Sequence, residues 1–131
     1  MTPAYYSNNT RFLVSVDIIV FGYQDGELKA LLQQRDFEPF CGRWSLLGGF
    51  VRDDESVDEA AQRVLYDLTG LSDGYYLSQV GVFGDVNRDT AARVITCAYY
   101  ALVNIELCSR EMRLANNGYW ERLNQLPPLI F

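Results

Sequence analysis

Two short tracts of this chain set acids beside arginines. Between Arg52 and Asp67 stand Asp53, Asp54, Glu55, Asp58, Glu59 and Arg63; further on, "FGDVNRDTAAR" holds Asp85, Arg88, Asp89 and Arg93. Carboxylates grouped along one helix can present hard oxygen ligands to Mg²⁺. The ion in turn activates water and neutralises charge developing on a phosphate. Arginine offers different chemistry, a planar fork that bonds carboxylates or phosphates in pairs. Ten of the eleven basic residues are arginine, Lys29 being the exception. With no histidine among the 131 residues, a zinc centre and a Ser-His triad are excluded. Isolated candidates lie outside the tracts. Asp17 interrupts an apolar run, where a carboxylate needs hydrogen-bond partners or a charge. It could accept bonds from sugar hydroxyls or an adenine amine, or pair with an arginine inside the fold. Arg35, Arg43, Trp44 and Gly48 flank the loop "DFEPFCGR". Trp44 could stack on a sugar face or base, or simply belong to the core.

The elements that must position these groups read as one mixed α/β domain. "FLVSVDIIVFG" places Val14, Val16, Ile18 and Val20 on one face and Ser15, Asp17, Ile19 and Phe21 on the other, a largely buried strand. The Asp-Gly of "YQDGE" turns it into a returning strand, "LKALLQQR". "WSLLGGFV" reads as a short strand running into a turn permitted by Gly48 and Gly49. "YYLSQVGVFGD" and "RVITCAYYALV" read as two further strands. The remainder is expected to be loop, with a short strand at residues 119–123. Between them, Ser56 and Glu59 have capping-box spacing and Gly70 suits a left-handed stop, so a helix is expected over residues 57–69. Val57, Ala60, Ala61, Val64, Leu65 and Leu68 form its apolar stripe.

Composition narrows the function. A formal charge of −6 does not suit gripping a nucleic-acid backbone unaided. Cys41, Cys97 and Cys108, an odd number without CxxC spacing, read as free thiols in a reducing compartment. No apolar run reaches membrane-span length and "MTPAYYSNNTR" lacks the pattern of a secretory signal, so a cytoplasmic location is expected.

Residues 49–71 resemble the Nudix box, Gly-x5-Glu-x7-Arg-Glu-U-x-Glu-Glu-x-Gly-U with U a bulky aliphatic. Gly49, Glu55, Arg63, Leu65, Gly70 and Leu71 match at the required spacing. The resemblance implies an α/β/α sandwich with a mixed sheet, and a bracing role for Arg63 through Glu55. Two glutamates of the box are replaced by Val64 and Leu68, one turn apart on one face, and a third is shortened to Asp67. Glu55 and Asp67 could hold one ion at best, so the hydrolytic site is expected to be dead. The wider run, from "IIVFG" to "LPPLIF", looks most like the N-terminal sensor of Nudix-related regulators of sugar utilisation. That group is known to respond to arabinose or ADP-ribose-like nucleotides.

The expected protein is therefore a catalytically inactive effector-sensing domain of a homodimeric regulator, needing no cofactor. It would touch DNA only through a C-terminal winged-helix domain beyond residue 131, the chain stopping short of its own last helix. Its expected ligand-binding residues are Asp17, Arg35, Arg43, Trp44, Gly48, Glu55, Arg63, Asp67, Asp85 and Arg88, with arabinose the first candidate. A neutral pentose would use Asp17, Asp85, Trp44 and an arginine; an anionic nucleotide would lean on Arg35, Arg43, Arg88 and Arg93. Two alternatives stay open. One is an active Mg²⁺-dependent hydrolase of nucleoside diphosphate sugars such as ADP-ribose, using Asp53, Asp54, Glu55, Glu59 and Asp67. The other is an interaction scaffold without a small ligand.

Overall fold

The computed structural model describes residues 3–35, 41–112 and 118–129. Its longest strand, β1 (Leu13–Gln24), is built on strict alternation: Val16, Ile18 and Val20 are fully buried, while Ser15, Asp17, Ile19 and Phe21 on the other face are half-buried. Asp25 and Gly26 both take positive φ, 55° and 78°, the turn conformation that an Asp-Gly pair favours between antiparallel strands. The chain thus returns as β2 (Glu27–Gln34) with Gln24 opposite Glu27.

The short segments β3 (Trp44–Ser45) and β4 (Leu47–Phe50) then diverge: β3 joins β2, whereas β4 crosses to β1. This corrects the expected glycine turn. Gly48 and Gly49 lie within β4, and each is needed for close approach. A Cβ on Gly48 would stand 2.8 Å from Asp17 Oδ1 and 3.1 Å from the Val16 carbonyl oxygen. One on Gly49 would stand 2.9 Å from Val64 Cγ2.

A short helix α1 (Ala4–Ser7) precedes β1 and buries nothing. Helix α2 (Val57–Thr69) has the expected bounds. The Ser56 hydroxyl accepts from the Glu59 N–H at 3.1 Å, the Ser56 N–H donates to the Glu59 carboxylate at 3.0 Å, and Gly70 closes the helix at φ 75°. Its stripe packs with Val16, Ile18, Leu47 and Tyr99 in one core. Strands β5 (Tyr76–Phe83) and β6 (Val94–Val103) follow, β6 lying parallel to β1 from Leu13–Val94 to Gly22–Val103. β7 (Gly118–Arg122) adds to β2, and a 3-10 turn spans Leu123–Gln125. The result is a seven-stranded mixed sheet, β3-β2-β1-β6-β5 with β4 on β1 and β7 on β2.

Helix α3 (Ile105–Met112) falls where a loop was expected. Among its described side chains Ile105 and Cys108 are buried, and Ile105 fills the space above Gly22, which has no side chain to oppose it. A helix this short is marginal by its own sequence, and packing on β1 and α2 supports it.

Candidate functional site

The α2 side chains facing the divergence of β3 and β4 border a cavity of about 270 Å³, lined by Gln33, Leu47, Gly48, Arg63, Val64, Asp67 and Leu68. Val64 and Leu68 are each only 7% exposed and belong at once to the core and to the cavity wall. At these two positions, one turn apart, the wall is hydrocarbon. Burying each side chain contributes about 1.5–3 kcal/mol.

Arg63 organises the rim. Its Nε donates to Glu55 Oε2 at 3.0 Å and its Nη2 to Glu55 Oε1 at 2.7 Å, while Nη2 also bonds the Phe50 carbonyl at 2.8 Å. The Arg52 N–H adds a third bond to Glu55, 3.0 Å to Oε1. The Arg63 fork beside it, helped by that backbone bond, pulls the Glu55 carboxyl down to about 2, and the pair raises Arg63 in return. Arg63 thus ties the β4–α2 loop to the helix. Asp67 stands 3.9 Å from Arg63 Nη1 and is largely exposed.

These residues do not fit a magnesium site. Both Glu55 oxygens are engaged by Arg63, a Glu59 oxygen is used by the capping box, and positions 64 and 68 offer no oxygen. Among the described residues no three His, Cys, Asp or Glu side chains come together as a metal centre.

A second cavity, about 590 Å³, opens in the β5–β6 loop and is lined by Gly84, Asp85, Val86, Asn87 and Arg88. Arg88 is close enough to Asp17 to favour its ionised form, and Asp89 opposes this. Burial nevertheless dominates and raises the Asp17 pKa, partly offset by the Thr96 hydroxyl, which donates to Asp17 Oδ2 at 2.6 Å.

The anticipated residues therefore divide. Gly48, Arg63 and Asp67 line the first cavity, with Glu55 behind Arg63; Asp85 and Arg88 line the second, with Asp17 near Arg88. Trp44 lines neither. It packs edge-on against Tyr119 at 5.1 Å and forms a bridge with Leu129, a structural contact. Arg35 lies just past β2, its backbone paired with Gly42 and Arg43 around the loop, and the Arg43 side chain is exposed. Arg93 stacks over Phe12 and bonds the Gly84 carbonyl. Gln33 and Thr96 were not singled out from the sequence. A polar pair at the end of an apolar strand marks Gln33; a threonine in an apolar strand marks Thr96, but only parallel pairing with β1 brings it to Asp17.

Comparison with known proteins gives the family of the fold. The NUDIX domain family model matches residues 11–129. The chain is 34% identical over 115 residues to the ADPR responsive transcriptional repressor NtrR of Acinetobacter baylyi, covering 86% of this chain and 46% of the repressor. It is 32% identical to the ADP-ribose pyrophosphatase of Methanocaldococcus jannaschii, covering 87% of this chain and 66% of that enzyme. The chain thus spans about half the length of the repressor and about two thirds of the enzyme. In structure it superposes on the NUDIX domain of Shewanella oneidensis NrtR in complex with ADP ribose, with a TM-score of 0.78 and 32% identity, covering 99% of this chain and 91% of that one. The chain belongs to the NUDIX domain family.

Proposed function

We propose that this chain is the effector-sensing domain of a transcriptional regulator, and that it binds an ADP-ribose-like ligand without hydrolysing it. One observation carries the reading: the cavity beside α2 presents Val64 and Leu68 where metal-ligating acids would stand, and Glu55 is committed to Arg63. A wall of this kind binds but cannot assemble a cation with an activated water. Similarity to a repressor named for its response to ADPR, and to a NUDIX domain in complex with ADP ribose, supports the ligand class. It moves the preference from arabinose, which rests on resemblance to sugar-utilisation regulators, towards a nucleotide sugar. DNA binding and homodimer formation belong to this reading as properties of the whole regulator, the former carried by a further domain.

Hydrolysis is the second reading, favoured by the 32% identity to an ADP-ribose pyrophosphatase. Calorimetric titration with ADP-ribose, run with and without Mg²⁺ and followed by product analysis, separates the two. Saturable binding that needs no metal and leaves the ligand intact is expected. Metal-dependent turnover near ~1 per second, within the range of ordinary enzymes, would establish the hydrolase instead.

A further inference from the structure

Strand β5 ends the sheet. One of its edges pairs with β6, and among the described residues no strand pairs with the other, which leaves an open row of N–H and C=O groups. Exposed edges are ordinarily guarded by charges or proline against pairing with another chain. The β5 sequence, "YLSQVGVF", has neither, although Tyr76, Val80, Val82 and Phe83 are each more than half exposed.

The strand also reads alike from both ends. Its register with β6 shifts between Gln79 and Gly81, which leaves Val80 as an extra residue. Cross-strand partners share a face. Tyr76 lies opposite Leu102 and Phe83 opposite Thr96, both on the same face of β6, so the two aromatic rings stand on one side of the sheet. Leu77, opposite Ala101, and Val82, opposite Cys97, stand together on the other side. Without the extra residue Tyr76 and Phe83 would point opposite ways. From either end the order is therefore aromatic, aliphatic, small: Tyr76, Leu77, Ser78 one way and Phe83, Val82, Gly81 the other.

We propose that β5 pairs antiparallel with β5 of a second copy of this chain, about a two-fold axis between Gln79 and Val80. The axis sets Tyr76 opposite the partner's Phe83 and Leu77 opposite the partner's Val82, and by symmetry the reverse. The two sheets become one, and each open row of backbone groups is closed by the other. Charge favours this occupant. Copies with a formal charge of −6 repel each other over most of their surface, and β5 brings no charge to the contact. Antiparallel pairing sets Asp73, just before β5, against the partner's loop after it, where Asp85 and Asp89 are balanced by Arg88 and Arg93. Parallel pairing would set Asp73 against itself. The assignment rests on the proposed function only in expecting a homodimer, and is independent of the ligand.

Light scattering, cross-linking and amide hydrogen exchange on this chain test the contact. The wild type is expected to be a dimer whose β5 amides exchange slowly on both edges. Val82→Lys puts a charge on the edge and is expected to weaken self-association by about tenfold or more, with the circular dichroism spectrum and the ADP-ribose titration unchanged. In a Cys41→Ser background, Tyr76→Cys and Phe83→Cys on one strand lie roughly 23 Å apart, whereas a disulfide needs Cα atoms within about 7 Å. Mild oxidation of that chain is therefore expected to give a covalent dimer, and Tyr76→Cys alone is expected to give far less. The cross-link carries the test if Val82→Lys does not fold. A dimer that survives Val82→Lys and forms no such disulfide would overturn the β5 contact and leave a homodimer joined elsewhere. A monomer at high concentration would overturn the contact, and slow exchange at β5 in that monomer would assign the edge to another segment of its own chain. In either case the effector reading stands or falls on the ADP-ribose titration alone.

Discussion

Arg63 braces the segment before α2 by gripping one carboxylate with two nitrogens of its guanidinium. Its paired bonds to Glu55 hold the β4–α2 loop against the helix, with the apolar side chains of Val64 and Leu68 on the neighbouring turns. The pairing has a pH signature. Glu55 ionises at about 2 in the folded chain, against an ordinary 4.5. A depressed folded value means the contribution is complete above the unfolded value and disappears as pH falls through the folded one. Wild-type melting temperature is therefore expected to fall more steeply than that of Glu55→Gln between pH values of about 4.5 and about 2. Parallel acid limbs in scans of the two proteins would show that the fork does not hold Glu55 ionised.

At the scale of elements, the sheet depends on close approach wherever a helix or strand crosses it. Gly22 in β1 faces Ile105 at the start of α3, and a Cβ there would fall inside the Ile105 side chain and 3.1 Å from the Trp120 ring of β7. One position thus joins β1, α3 and β7. Overpacking such a junction costs roughly 1–3 kcal/mol. Gly22→Ala is expected to lower the urea midpoint accordingly without changing the denaturant slope. An unchanged midpoint would mean that α3 is not seated on β1 as described. Gly48 and Gly49 follow the same rule, one against Asp17 and the other against Val64.

The whole molecule encloses one core, and its thiols report on that enclosure. Cys41 is exposed, whereas Cys97 and Cys108 are buried. Burial pushes the Cys108 thiol up to about 11, and burial with the neighbouring Asp58 charge raises Cys97. Only a thiolate attacks a disulfide reagent. In native buffer one thiol per chain is expected to react promptly with a chromogenic disulfide, and all three after denaturation. Three prompt thiols in the native state would contradict the packing of α3 and β6. No described helix is long and apolar enough to cross a membrane.

Helix α2 was legible in the sequence down to its ends, because capping box, apolar stripe and glycine stop are all written within fifteen consecutive residues, Ser56 to Gly70. The β1–β2 hairpin was legible for the same reason, its turn set by Asp25 and Gly26 alone. So was the apolar character of positions 64 and 68, a matter of residue identity. Tertiary structure decided what distant segments had to settle together. Asp17 and Thr96 are 79 residues apart and meet only because β1 and β6 run parallel, a pairing without a local signal. The glycines of "LLGGF" looked like a turn because their own neighbours cannot reveal the Asp17 and Val64 side chains that exclude a Cβ. Helix α3, eight residues long, is too short to declare itself and forms where β1 and α2 offer it a surface. The physical division is between information carried within a turn or two of chain and information carried by contacts that exist only after the chain has folded.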